Sequence, residues 1–367
     1  MLFILKKNLF KSRKINFKNY RIIFKIKNFF KTIVKNQKKI YNIQANKKEK
    51  TKINRHKDIK RIKIRKKIKV ERVVKMYKLL AIDLDGTMLN TYGEVSEKTK
   101  RVLEEANKIG AEVVISSGRT IDSIRNIAEE VSATKYTIAG NGALLYDLQN
   151  NKVMYEKYIS KQKALKIIKI CDENSIMYSV YTDKTIVAHF LKYNILYYYK
   201  ENIKKPQSKK TSITLVQDIY DYVRNMQDEN VMKIFICDKH KSIFNSITKK
   251  IKGSIEDIEI LDVSHMSRKI IVNGSKEVPL EYFYTEITES DTDKWNALEY
   301  LLKKLNISKD EVISIGDNVN DIKMVENAGL GIAMKGSTPK LISVADYVTE
   351  EDNNHDGVAN ALEKYLL

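Results

Sequence analysis

The chain has 367 residues and a formal net charge of +21, from 67 Lys+Arg against 46 Asp+Glu. Residues 1–75 hold 28 basic and 3 acidic side chains, so residues 76–367 carry only −4, which excludes a globular domain with a basic nucleic-acid face. Two cysteines, Cys171 and Cys237, exclude a disulfide framework and a multi-cysteine metal site and point to a reducing compartment, the cytoplasm.

Residues 1–75 lack a globular pattern. They are built from Lys, Asn, Ile, Phe and Arg, without Gly or Pro and without an acidic residue before Glu49. Short apolar pieces such as Ile22-Ile23-Phe24 alternate with Lys. One set of readings is a basic amphipathic segment on an anionic membrane, a transit peptide, or an arm on nucleic acid. The expectation set against them is a disordered extension, or upstream sequence read from too early a start codon, with Met76 opening the domain.

From Met76 onward, strands alternate with helices. Lys78–Leu84 is a short apolar run, read as a buried strand ending in Asp83-Leu84-Asp85-Gly86-Thr87. Ser96-Glu97-Lys98-Thr99 opens a helix that Gly110 stops. Ala111–Ser116 is a second strand, followed by a helix from Ile121 to Val131. Tyr136–Ala139 is a third strand, before Gly140-Asn141-Gly142. Near the end, Glu311–Ile315 is a strand ending in Gly316-Asp317, with a helix over 321–328, strands at Leu330–Met334 and 347–349, and a final helix over Gly357–Leu366. This alternation predicts an α/β fold with a doubly wound parallel sheet, whose ligands bind beyond the carboxyl ends of the strands. Residues 157–287 read differently. Helix-like stretches (161–173, 241–251) mix with β-rich ones (176–181, 233–237, 269–272), which predicts an α+β domain inserted between core halves at 76–156 and 288–367.

Four clusters carry chemistry. Strand alternation puts Asp83 and Asp85 on one side, where two carboxylates repel unless a cation or proton lies between them. A hard divalent ion, Mg²⁺, resolves this, and an Asp beside it can attack phosphorus; the plainer reading is an Asp-Gly turn. Ser116-Ser117-Gly118-Arg119, at a strand end before a helix, offers a hydroxyl and free amides to a phosphate, or else an ordinary Ser cap. Lys294 opens a helix against the macrodipole, so it either serves a phosphoryl group and Asp83 or is a solvated Lys paired with Asp291 or Asp293. Asp317 ends a buried strand and would complete a metal shell. Asn320 would donate to phosphate or orient Lys294, and Asp321 would support the metal or hold Lys294.

The order of these clusters resembles that of haloacid-dehalogenase (HAD) superfamily phosphatases of the Cof-type IIB group, with a C2B cap. The resemblance rests on Asp83-Leu84-Asp85-Gly86-Thr87, Ser117-Gly118-Arg119, Asn141-Gly142-Ala143, Lys294 and Gly316-Asp317 with Asn320-Asp321. Gly331-Ile332-Ala333-Met334 and Asp356-Gly357-Val358-Ala359 are also similar to that group. Two departures stand out: Ser117 where the family usually has Thr, and an acidic 286–293 segment lacking the usual Gly.

The resemblance implies a Rossmann-like core and hydrolysis of small phosphorylated metabolites through an aspartyl-phosphate. Sugar phosphates lead, with pyridoxal phosphate and flavin mononucleotide as further candidates. Asp83 is the implied nucleophile and Asp85 the acid and base. Asp83, the Asp85 carbonyl and Asp317 would hold Mg²⁺, with Asp321 behind them. Amides around Leu84 and Gly118, with Ser117, Lys294 and Asn320, would hold the phosphoryl oxygens. An acidic residue at 85 suits hydrolysis, whereas related P-type pumps carry Thr there. Two alternatives remain: a phosphomutase of the same superfamily, and a nucleic-acid or membrane-binding protein acting through residues 1–75. Leu196–Lys200 reads as a substrate face or as exposed surface, and Cys171 and Cys237 read as core residues.

Overall fold

The computed structural model describes residues 77–367, apart from 208–209, 262–265 and 274–275. The expectations for residues 1–75 lie outside the described residues.

The first half of the core contains β1 (Leu79–Ile82), α1 (Glu97–Lys108), β2 (Glu112–Ser116), α2 (Ile121–Glu130), β3 (Tyr136–Ala139), β4 (Leu144–Asp147) and β5 (Lys152–Glu156). A second group follows: α3 (Lys161–Glu173), β6 (Met177–Thr182), β7 (Ile186–Ala188), α4 (Tyr193–Ile203), β8 (Ile213–Leu215), α5 (Ile219–Asn225), β9 (Val231–Asp238), α6 (Lys241–Ser254), β10 (Ile258–Ile260), β11 (Met266–Asn273) and β12 (Lys276–Glu289). The chain then returns to the core with α7 (Lys294–Leu305), β13 (Val312–Gly316), α8 (Ile322–Asn327), β14 (Leu330–Ala333), α9 (Pro339–Val344), β15 (Tyr347–Val348) and α10 (Gly357–Tyr365).

The core sheet runs β15-β14-β13-β1-β2-β3-β4-β5. From β15 to β3 every pairing is parallel, and β4 and β5 add antiparallel strands at one edge. Strand alternation decides which helices cover which face. Leu80 and Ile82 pack with Val102 and Leu103 of α1, Ile124 of α2 and Leu362 of α10, while Leu79 and Ala81 pack with Leu298 and Leu301 of α7. Both faces of β1 are therefore buried, which is why it reads as an unbroken apolar run.

The inserted sheet runs β10-β12-β9-β6-β7-β8, with β11 paired to β12. On β9, Ile234 and Ile236 face the cluster formed with α3, α5 and α6, while Phe235 and Cys237 join an aromatic cluster with Tyr181, Tyr198 and Tyr282. Cys171 and Cys237 are both buried, free core thiols. Among the described residues, no helix is long and apolar enough to cross a membrane.

Candidate active site

The chemistry-bearing clusters converge because β13, β1 and β2 are parallel neighbours whose carboxyl ends lie side by side. Asp83 follows β1, Ser117 follows β2, Asp317 follows β13, and Asn141 lies in the Gly140–Gly142 turn after β3. β1 is flanked by β13 on one side and β2 on the other, so the strand order reverses there, where open α/β sheets leave a crevice.

Lys294, the first residue of α7, is 0% exposed. Its Nζ donates to Asp83 Oδ1 at 2.5 Å and to Asp321 Oδ1 at 2.7 Å. This replaces the solvated lysine, and it assigns the holding role to Asp321 instead of Asn320. Burial alone would lower the Lys294 pKa, but Asp321 and then Asp83 outweigh it and hold it above the ordinary lysine range. Asp321 is fully buried, and its Oδ2 accepts from the Asp317 and Asn318 amides at 3.0 and 3.1 Å. Asn320 donates instead to Asn141 Oδ1 at 3.0 Å.

Asp85 is far more open, its side chain 41% exposed. Arg119 grips it in a fork, Nε to Oδ2 and Nη2 to Oδ1, both at 2.8 Å. The Arg119 side chain is itself 2% exposed, with its guanidinium carbon 5.7 Å from the Tyr198 ring centre and Nη1 3.7 Å from Glu201 Oε2. Sequence reasoning quoted Arg119 in a motif and gave it no task. Its position two residues after Ser117, at the same sheet edge as Asp85, was the available signal. Ser117 Oγ accepts from the Arg119 amide at 3.2 Å, and the Ser117 carbonyl accepts from the Asn141 amide at 3.0 Å.

Two glycines allow the close approach. Gly86 has φ +84°, and a Cβ there would stand 2.5 Å from Asp317 Oδ2. A Cβ on Gly118 would stand 2.9 Å from Asn141 Oδ1 and 3.1 Å from Lys233 Nζ.

One oxygen each from Asp83, Asp317 and Asp321 lies within 4.8 Å of the others. These donors are all hard oxygens, which fit Mg²⁺ or Ca²⁺ better than a soft metal. Asp321 already accepts one lysine and two amide bonds, which leaves Asp83 and Asp317 as the better ligands. The electrostatics also fit a cation. Burial raises the Asp83 pKa to about 7, aided by Asp321 and Asp85 against Lys294. Burial, then Asp83 and Asp321, raise Asp317 well above the carboxylate range. The carboxylates outnumber the cations that face them, and a divalent ion would restore the balance.

Opposite this edge, the inserted sheet supplies Tyr181, Lys233, Phe235, Tyr282, Tyr284 and Glu286, enclosing a cavity of about 130 Å³ with Asp83, Asp85 and Asp317. Of Leu196–Lys200 on α4, Tyr198 lines this cavity and the adjacent Tyr199 is exposed. Lys233 and Glu286 were not singled out from sequence. The signal was a lysine inside an otherwise apolar strand, Val231–Cys237.

A model of haloacid dehalogenase-like hydrolases matches residues 80–362. Phosphatase YwpJ of Bacillus subtilis is 28% identical over 304 residues, covering 79% of this chain and 100% of that protein. The 5-amino-6-(5-phospho-D-ribitylamino)uracil phosphatase YcsE of Bacillus subtilis is 26% identical over 292 residues, covering 79% and 96%. The HAD subclass IIB sugar phosphatase BT4131 shares the fold with a TM-score of 0.62 at 19% identity, covering 78% of this chain and 98% of that one. Matched by that family over residues 80–362, with the acidic sheet edge in place and phosphatases among its relatives, the chain belongs to the haloacid dehalogenase-like hydrolases.

Proposed function

We propose that the protein hydrolyses small phosphate monoesters, sugar phosphates foremost, with Asp83 as nucleophile. The observation that carries this reading is Lys294, fully buried and bonded to both Asp83 and Asp321, at the mouth of three parallel strands. A buried lysine between carboxylates adds little stability over an apolar residue, but it orients a nucleophile and offers charge to a phosphoryl group.

In the first step a carboxylate oxygen of Asp83 bonds to phosphorus, the ester P–O bond breaks, and the leaving oxygen takes a proton from Asp85. In the second, water attacks phosphorus and yields a proton to Asp85, and the Asp83–phosphorus bond breaks. Arg119 bonds to both Asp85 oxygens and holds the carboxyl in place, and an oxygen that accepts one N–H can take the proton on its second lone pair. Ser117, the amides around Leu84 and Gly118, Lys294 and Asn320 are proposed to hold the phosphoryl oxygens. We assign Mg²⁺ to Asp83, the Asp85 carbonyl and Asp317, with Asp321 behind them. When bound, it supplies charge neutralisation at the carboxylates and at a phosphoryl oxygen. Residues 157–287 are proposed as the cap that closes over the leaving group, inserted into a core of 76–156 and 288–367. YcsE and BT4131, named for a phosphoribityl compound and for sugars, support this substrate class.

The test is release of inorganic phosphate from p-nitrophenyl phosphate and a panel of sugar phosphates, with Mg²⁺ and with EDTA. Release without a sugar acceptor separates a phosphatase from a phosphomutase. Full activity retained in Asp83→Asn would overturn the reading.

A further inference from the structure

The cap wall of the cavity carries two charged side chains among its lining residues, Lys233 and Glu286. Lys233 is 2% exposed, and its Nζ donates to Glu286 Oε1 at 2.6 Å and lies 4.6 Å from the Tyr181 ring centre. Glu286 also accepts from Asn141 Nδ2 across the core–cap boundary. The same Nζ comes against Gly118, in the loop assigned to the phosphoryl group.

Position therefore separates the two walls by task. With phosphorus at Asp83 and the leaving oxygen at Asp85, the rest of the substrate projects toward β9 and β12. The rings there mostly pair with one another. Phe235 and Tyr284 stack at 5.4 Å and 15°, and Tyr282 meets both edge-on. A flat heterocycle finds no parallel slot between rings already in contact. A Lys–Glu pair, in contrast, has a natural guest. A hydroxyl donates one proton and accepts through two lone pairs, so it can insert by donating to Glu286 and accepting from Lys233. The pair is neutral overall, and Glu286 and Asp85 both oppose a second anion on the leaving group.

We propose that Lys233 and Glu286 are the specificity-determining pair of this site, reading a hydroxyl on an aliphatic leaving group that carries a single phosphate. The inference rests on the phosphatase reading above. When a substrate lacks that hydroxyl, Lys233 and Glu286 bond to each other. Neither group is then stranded, and the discrimination is about 10- to 100-fold, below that of a site whose polar groups are left unpaired.

The probes are glycerol 3-phosphate and n-propyl phosphate, which share a three-carbon skeleton and differ in hydroxyls. The measured quantity is the ratio of their kcat/KM values, in the wild type and in Lys233→Met and Glu286→Leu, which remove the donor and the acceptor in turn. The double variant Lys233→Met/Glu286→Leu replaces the whole pair by apolar side chains of similar size, in case a single change leaves one buried charge unpaired and unfolds the cap. The wild type is expected to prefer glycerol 3-phosphate by about 10-fold or more, and the variants to bring the ratio near one. A merely structural role would lower both substrates together and leave the ratio in place, which would overturn the proposal while the phosphatase reading stands. A wild-type ratio near one would do the same. Hydrolysis of neither probe, nor of p-nitrophenyl phosphate, would overturn both.

Discussion

Asp83 sits where burial and neighbouring carboxylates make its charge costly, and its pKa rises to about 7. The unfolded chain, with an ordinary Asp near ~3.9, releases that proton earlier. Between those values the folded state binds more protons than the unfolded state, so the raised pKa favours folding at low pH and the benefit fades as pH climbs through about 7. The metal-free melting temperature is therefore expected to fall between pH 4 and pH 7 more steeply in the wild type than in Asp83→Asn. Mg²⁺ is expected to raise it more at pH 8 than at pH 6, because the ion competes with a proton for Asp83. Equal Mg²⁺ shifts at both pH values would count against Asp83 as a ligand. Lys294→Met removes one partner of two buried carboxylates and is expected to cost on the order of 3 kcal/mol in urea unfolding, together with nearly all hydrolysis.

At the scale of elements, the site depends on how strands end. Gly86 lets the chain turn directly after β1 with φ +84° and no Cβ against Asp317. Gly86→Ala is expected to displace Asp317 and weaken Mg²⁺ affinity by about 10- to 100-fold by calorimetric titration. The core elements were legible because apolar runs ending in Asp-Leu-Asp-Gly-Thr and Gly-Asp announce buried parallel strands with polar carboxyl ends. The read strand 78–84 is Leu79–Ile82, since Asp83 and Leu84 already turn away. β4 and β5 escape a sequence reading because neither alternates: β4 is four residues long with Leu144 and Leu145 buried side by side, and β5, at the sheet edge, is mostly exposed. The cap gave less, since its strands β7, β8 and β10 span three residues each. Asp83, Lys294, Asp317 and Asp321 meet as local sequence implied. Arg119 and Lys233 found partners 34 and 53 residues away, and such pairings are set by tertiary register that no local window contains. Asn320 shows the same limit, since its partner is Asn141 of another strand end.

At the scale of the whole molecule, the charge of +21 and the chemistry belong to different parts of the chain. Residues 76–367 carry −4 and hold every site residue discussed above. A protein of residues 76–367 is expected to match the full chain in kcat/KM for p-nitrophenyl phosphate within about twofold, since a domain with its own core folds alone. A large loss would assign residues 1–75 a part in catalysis. The cap closes the same site from the other side, through Glu286 to Asn141 and Glu201 to Arg119. The most direct measurement is acid-quenched rapid mixing of the enzyme with a ³²P-labelled phosphate ester, followed by peptide mapping. Label on the peptide containing Asp83, reaching the enzyme within one turnover and absent from Asp83→Asn, is the expected result. Fast phosphate release with no enzyme-bound label at any quench time, or label on a different residue, would contradict Asp83 as the nucleophile.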